Sequence, residues 1–254
     1  MSSMLRYKKE DSVAWLTLDR PEQLNAMTRD FWPELVAGLQ KADADDEVRA
    51  VILNGNGRAF CTGGDIVGFG ELGDAGDRRA YLREAFGAMR MLESFRKPTI
   101  AAVHGYCVAG GCELTMMCDL VIADETLKIG VAEIAVGLTP GPGLGRGSSH
   151  ANLHWMKYMV MTGDTLDAEE ARIAGLVNKV TPAGDHLAVA EKLARKLAGQ
   201  APLALEVGKK ALNRQYEEHF DHAMDAVSFL QSTEDFREGI AAFAEKRDRR
   251  FEGR

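Results

Sequence analysis

The sequence predicts an α/β protein with parallel strands, and three observations carry that expectation. Short apolar runs, four to six residues long and nearly continuous, recur along the first half of the chain, as expected of strands covered on both faces. Amphipathic stripes with helical spacing lie between them. Strand signals stop near Thr181, and only helical patterns follow.

The first run is Val13 to Leu18. Phe31, Leu35 and Leu39 then repeat every fourth residue behind Thr28 and Asp30 as candidate caps, which predicts a helix; Pro33 is tolerable because it falls in the first turn. Val48 to Leu53 is the next strand. Leu82, Phe86, Met89 and Leu92 form a second helical stripe, closed by Lys97-Pro98 ahead of the strand Thr99 to Val103. An apolar helix precedes the last run, Leu120 to Ala123. The order β-α-β-α-β-α-β is that of parallel strands joined by crossover helices. Beyond Thr181, one stripe contains Leu187, Ala190, Leu193 and Leu197, a second segment opens at Pro202, and a third contains Phe236, Ile240 and Phe243. These stripes are too apolar to face water alone, so they must cover the strand region or another subunit.

Composition excludes several classes of function. The apolar runs fall far short of the ~20 residues of a membrane span, and the N-terminal segment lacks the apolar stretch and cleavage site of a secretory signal. No membrane partner and a cytoplasmic location are therefore expected. The net charge of −7, from 31 Lys and Arg against 38 Asp and Glu, opposes nucleic-acid binding, which needs clustered cations. The dense basic run Lys246 to Arg250 reads as a solvated helix end. Cys61, Cys107, Cys112 and Cys118 contain no CxxC pair and read as small buried thiols.

Some chemical motifs fail on inspection. His150 and His154 stand four apart, a spacing that puts both rings on one helical face, but HANLH lacks the glutamate of HExxH and no metal site is expected. Gly141 to Gly147 (GPGLGRG) has no Lys-Ser/Thr ending and carries Pro142 where a backbone donor is wanted, so it reads as a shaped loop. No GxSxG elbow appears.

Two Gly-rich junctions are better candidates: Ala59 to Ile66 (AFCTGGDI) and Ala109 to Leu114 (AGGCEL). Adjacent glycines let a ligand approach the main chain, and two N–H donors aimed at one point make an oxyanion hole. Glycines that merely turn the chain would look the same. Glu113 in GGCELTMMC and Glu133 in IGVAEIAVGL lie in apolar stretches, where an uncompensated carboxylate is costly. They are either surface residues or an acid and a base lining one pocket. In the second case their mutual repulsion keeps one protonated while the other ionises.

At these residues the sequence resembles the enoyl-CoA hydratase/isomerase, or crotonase, family. The resemblance runs through Leu18 to Met27 (LDRPEQLNAM), Phe60 to Ile66 (FCTGGDI), Lys97 to Asp119 (KPTIAAVHGYCVAGGCELTMMCD), the Glu133 region, Thr162 to Val180 (TGDTLDAEEARIAGLVNKV) and Glu238 to Arg247 (EGIAAFAEKR). It implies a crotonase-like ββα spiral core over residues 1–195 and a C-terminal helical trimerisation section over 196–254. It implies that the backbone N–H groups of Gly64 and Gly110 hold a thioester carbonyl oxygen. Glu113 and Glu133, twenty residues apart, match the two glutamates of relatives that hydrate enoyl thioesters.

The same resemblance implies that Glu22, Leu24 and Ala26, together with Thr62, Gly64, Asp65 and Ile66, grip coenzyme A, that Gly141 helps position water, and that Lys246 approaches the nucleotide phosphates. Coenzyme A is expected as the substrate's thioester carrier, with no permanently bound cofactor, and the chain is expected to form a homotrimer or a dimer of trimers. The implied reaction adds water to a trans-2-enoyl-CoA, with Glu113 as base and Glu133 as proton donor to C2. Alternatives are Δ3,Δ2-enoyl-CoA isomerisation, another crotonase reaction, or a noncatalytic RNA-binding relative. Thr139 to Ser148 departs from the family's PGAGGTQRL-like segment, which leaves the acyl end of the pocket open.

Overall fold

The computed structural model describes residues 3–65, 68, 73–213 and 219–253. The strands are β1 (Leu5–Glu10), β2 (Val13–Leu18), β3 (Ala50–Gly55), β4 (Ala59–Cys61), β5 (Thr99–Val103), β6 (Tyr106–Val108), β7 (Leu120–Asp124), β8 (Lys128–Gly130), β9 (Leu166–Asp167) and β10 (Lys179–Thr181). The helices are α1 (Phe31–Ala44), α2 (Ala75–Glu93), α3 (Gly110–Met117), α4 (Gly143–His150), α5 (Leu153–Thr162), α6 (Ala168–Ala174), α7 (His186–Ala198), α8 (Pro202–Asn213), α9 (His219–Leu230) and α10 (Glu234–Glu245). Short 3₁₀ turns span Pro21–Gln23 and Glu133–Val136.

The strands form two sheets, ordered β1-β2-β3-β5-β7-β10 and β4-β6-β8-β9. From β2 onward the larger sheet is parallel, with Leu16 opposite Leu53 and Ile52 opposite Ile100. The strand pairs β3/β4, β5/β6 and β7/β8 each give one strand to either sheet, so the chain winds as a ββα spiral. This corrects the simpler β-α-β alternation. The four long runs are all strands, but β4, β6 and β8 have three residues each, too few to show a period. β1, LRYKKE, is a polar edge strand paired antiparallel to β2.

Burial explains why the long strands read as continuous apolar runs. One face of the larger sheet joins the main core with Leu16, Leu53, Phe31 and Leu35. The other face, with Val13, Ile52, Ile100 and Ile122, is covered by Ala190 and Ala194 of α7. That helix runs unbroken across residues 195 and 196, where the sequence suggested a boundary. Asp30 is the N-cap of α1, although its side chain makes no capping bond. α2 ends at Glu93, ahead of Lys97-Pro98, where the Ser94 hydroxyl and amide both donate to the Arg90 carbonyl.

Two local expectations fail. GPGLGRG is no loop: Pro142 is the N-cap of α4, and the helix begins at Gly143. His150 and His154 do not share a helical face, because the extended Ala151 ends α4 and the Asn152 side chain caps a new helix by accepting from the His154 amide. No group of metal-ligating side chains occurs among the described residues. No helix among them is long and apolar enough to cross a membrane. All four cysteines are buried free thiols.

Candidate active site

The site begins where β4 and β6 end side by side. Leu24 and Asn25 both have positive φ, which turns the 3₁₀ segment back so that residues 24–27 lie along residues 62–65. The Met27 amide donates to Gly63 O at 2.8 Å, the Asp65 amide to Met27 O at 2.8 Å, and the Thr62 amide to Leu24 O at 3.2 Å. Fully buried Asn25 locks this turn: its Nδ2 donates to the carbonyls of Asn56, Ala59 and Phe60, and its Oδ1 accepts from the Arg20 amide. An Arg20–Asp65 ion pair at 2.8 Å closes the strip. Leu24, Ala26, Thr62, Gly64 and Asp65 are thereby brought together, with Glu22 exposed on the adjoining turn. Ile66 lies outside the described residues.

Gly110 opens α3 directly against this strip. Ala109 is held at φ 51° and ψ −130°, a strained conformation for a residue with a side chain. A Cβ on Gly63 would lie 3.1 Å from the Gly110 nitrogen, and one on Gly110 would lie 3.8 Å from the Gly64 nitrogen. Such a close approach of two main chains requires glycine. Among the described residues, neither the Gly64 nor the Gly110 amide donates to another backbone group. Two unclaimed N–H groups side by side can accept a developing oxyanion.

The carboxylates complete the constellation. Glu113, one turn into α3, is 5% exposed. Its Oε1 accepts the Gly143 amide at 2.8 Å, so the first residue of α4 satisfies it and the helix dipole faces it. Burial pushes the Glu113 carboxyl up to about 7, against the opposing pull of the Gly143 and Gly141 amides. Glu133 opens its 3₁₀ turn with Oε2 shielded from solvent and without a hydrogen-bond partner. Burial first, and the Glu113 charge second, hold it well above the ordinary glutamate range. The pair therefore loses its first proton mainly from Glu113 and keeps the second on Glu133. A carboxylate and a carboxylic acid therefore coexist near neutral pH.

Neighbouring elements hold both glutamates. Phe86 of α2 packs against Gly141, whose Cβ position is 2.6 Å from the ring and 3.4 Å from Glu113 Oε1. The Glu133 turn is clamped by α10: a Cβ on Gly239 would come within 2.6 Å of the Val136 backbone, and Arg249 donates to Ala135 O at 2.7 Å. Lys246 stands apart as the exposed left-handed C-cap of α10. Behind α4, Arg146 and Glu93 form a buried ion pair at 3.0 Å, and Arg146 also donates to Asn213 Oδ1. Sequence reasoning missed Gly143 and Arg146, because both fall in the segment read as a loop. The local pattern gave no signal for this helix, since Gly143, Gly145 and Gly147 all disfavour one.

A ββα spiral that sets two unclaimed amides and two coupled carboxyls in one apolar region defines a class of thioester-activating proteins. Residues 8–254 match the family described as enoyl-CoA hydratase/isomerase, and the chain belongs to that family. The short-chain-enoyl-CoA hydratase of Clostridium acetobutylicum is 36% identical over 251 residues, 94% of either chain. The 2,3-dehydroadipyl-CoA hydratase of Escherichia coli is 35% identical over 258 residues, 99% of this chain and 100% of that one. Among solved structures, carnitinyl-CoA hydratase from Mycobacterium avium superposes with a TM-score of 0.90 over the full length of both chains, at 30% identity.

Proposed function

We propose that this protein adds water across the 2,3 double bond of a trans-2-enoyl-CoA to give a 3-hydroxyacyl-CoA. The observation that carries this reading is the pair formed by buried Glu113 and half-buried Glu133, whose Oε2 is shielded, both with raised carboxyls and each raised for a cause visible in its surroundings. In this reading the Gly64 and Gly110 amides receive the thioester oxygen and stabilise the charge that builds there as C3 is attacked. Ionised Glu113 takes a proton from the attacking water, so that its oxygen bonds to C3. Protonated Glu133 delivers its proton to C2, and the electron pair of the double bond becomes the new C–H bond. The pair ends with as many protons as it began with, so regeneration requires only that the proton pass from Glu113 to Glu133.

The strip of Glu22, Leu24, Ala26, Thr62 and Asp65 is proposed to grip the coenzyme A portion, with Gly141 beside the attacking water and Lys246 reaching the nucleotide phosphates. The chain is further proposed to act as a homotrimer or pair of trimers in the cytoplasm. Exposed Leu203 and Val207 on α8 support assembly, since each is about two thirds exposed or more and, four residues apart, the two share one helical face. Light scattering of the purified chain checks the subunit number.

The test of the reaction is hydration of crotonyl-CoA, followed as loss of the conjugated absorbance, with Glu113→Gln and Glu133→Gln alongside. Each variant is expected to lose roughly 10²- to 10⁴-fold in kcat. Full turnover in both variants, or bond migration in a 3-enoyl-CoA without any hydration of crotonyl-CoA, overturns the reading.

A further inference from the structure

Outside the carboxylate pair, unpartnered buried polar atoms gather where α2, α9 and α10 meet. Arg78, in the first turn of α2, donates through Nη1 to the Gln231 carbonyl at 2.5 Å and stacks over the Phe236 ring, 5.9 Å from its centroid. Its Nε is buried without a hydrogen-bond partner, and no carboxylate among the described residues pairs with the guanidinium. Gln231 is 1% exposed, yet neither its Oε1 nor its Nε2 has a partner. Ser228 Oγ is also buried and unpartnered. Because the Gln231 amide still donates to Val227 O, the helical geometry of α9 extends through it, and Ser228 and Gln231 share one face. Buried polar groups are normally satisfied, so several together without protein partners offer hydrogen bonds that a polar ligand group can take.

The cluster lies along the wall of the candidate site. Arg78, Leu82 and Phe86 recur at every fourth position of α2 and so lie along one helical face, with buried Leu82 between the other two and the Phe86 ring packed against Gly141 near Glu113. Eight helical residues span roughly 12 Å. At the other end, Phe236 borders Gly137, the residue that closes the Glu133 turn, whose Cβ position is 3.0 Å from the Phe236 nitrogen. An occupant running from the carboxylates to Arg78 would therefore pass an apolar middle and end among donors: a guanidinium N–H, a carboxamide NH₂ and a hydroxyl. That is the chemistry of a chain that ends in a carboxylate, which a guanidinium recognises with shape as well as charge.

We propose that Arg78, Gln231 and Ser228 form a subsite for the far end of the acyl group, selecting enoyl thioesters that terminate in a carboxylate. The proposal rests on the hydratase reading and adds the substrate class. It is tested with trans-2-enoyl-CoA thioesters of six, eight and ten carbons, each ending in either a carboxylate or a methyl group. At the best-fitting length the carboxylate-ended thioester should have the higher kcat/KM by roughly 10- to 100-fold. Arg78→Met and Gln231→Leu should each collapse that ratio toward unity, a readout independent of how much protein is active. Calorimetric binding of the matching saturated thioesters should show the same preference and lose it in the same variants.

Equal or better use of methyl-ended substrates at every length overturns the subsite and leaves the hydratase reading intact. So does a preference that survives both substitutions. Failure of the wild-type chain to hydrate crotonyl-CoA overturns the hydratase reading instead, and the binding comparison then decides the subsite by itself.

Discussion

Glu113→Gln should make the protein more stable while removing its activity, and the size of the effect follows from the burial of one carboxyl. Moving that carboxyl from 4.5 to about 7 on folding corresponds to about 3 kcal/mol in favour of the protonated form. The sign follows from proton linkage. Below pH 4.5 the group is protonated in both folded and unfolded chains and contributes no difference. Between pH 4.5 and 7 the unfolded chain releases the proton while the folded chain keeps it, so stability falls as pH rises. Above pH 7 the full penalty applies. Glutamine is close in shape, keeps an oxygen to accept the Gly143 amide, and cannot ionise. The variant should therefore gain up to about 3 kcal/mol over wild type at pH 8.5, and little at pH 4.5. Urea midpoints at the two pH values, compared between the chains, measure the effect. Equal stabilities at pH 8.5, or a variant weaker there than at pH 4.5 relative to wild type, would refute the argument that burial raises this carboxyl.

Four other outcomes follow from the same geometry. The kcat/KM of the wild-type enzyme should rise through an acid limb near pH 7 as the pair loses its first proton, and fall at higher pH as Glu133 loses the second; a profile of kcat/KM flat from pH 6 to 8 contradicts this. Gly143→Ala puts a Cβ 2.7 Å from Glu113 Cγ and should lower kcat by roughly 10-fold or more, with coenzyme A affinity by calorimetry changed much less. Gly239→Ala presses on the Val136 backbone and through it on Glu133, and steady-state kinetics should show the loss in kcat rather than in KM. Arg146→Met strands the buried Glu93 carboxylate and should cost about 3–5 kcal/mol in denaturant titration; restoration of stability by the added change Glu93→Leu would identify the stranded charge as the cause.

The local pattern of residues was enough for the long strands, for α1, α2, α7 and the C-terminal stripes, because each has a period that burial on one or two faces imposes. It was also enough to single out Glu113 and Glu133, since a carboxyl in an apolar run needs a reason. It missed β4, β6 and β8, whose three-residue lengths hold no period, and with them the second sheet and the spiral. It misread Gly141 to Gly147, since glycine and proline signal a turn wherever tertiary contacts do not intervene. Here the Glu113 carboxyl meets the first amide of α4, and the Arg146–Glu93 pair anchors that helix from behind.

What the sequence determined by itself was the set of chemical groups: two acids in apolar surroundings, two glycine pairs free to present amides, and helices that need cover. Only the tertiary structure decided how these groups meet and what each experiences. Burial raises both carboxyls, and the Glu113 charge raises Glu133 further. The clamp of α10 on the Glu133 turn joins residues about a hundred positions apart. Desolvation and Coulomb interaction depend on distance in space, and neither can be read from order along a chain.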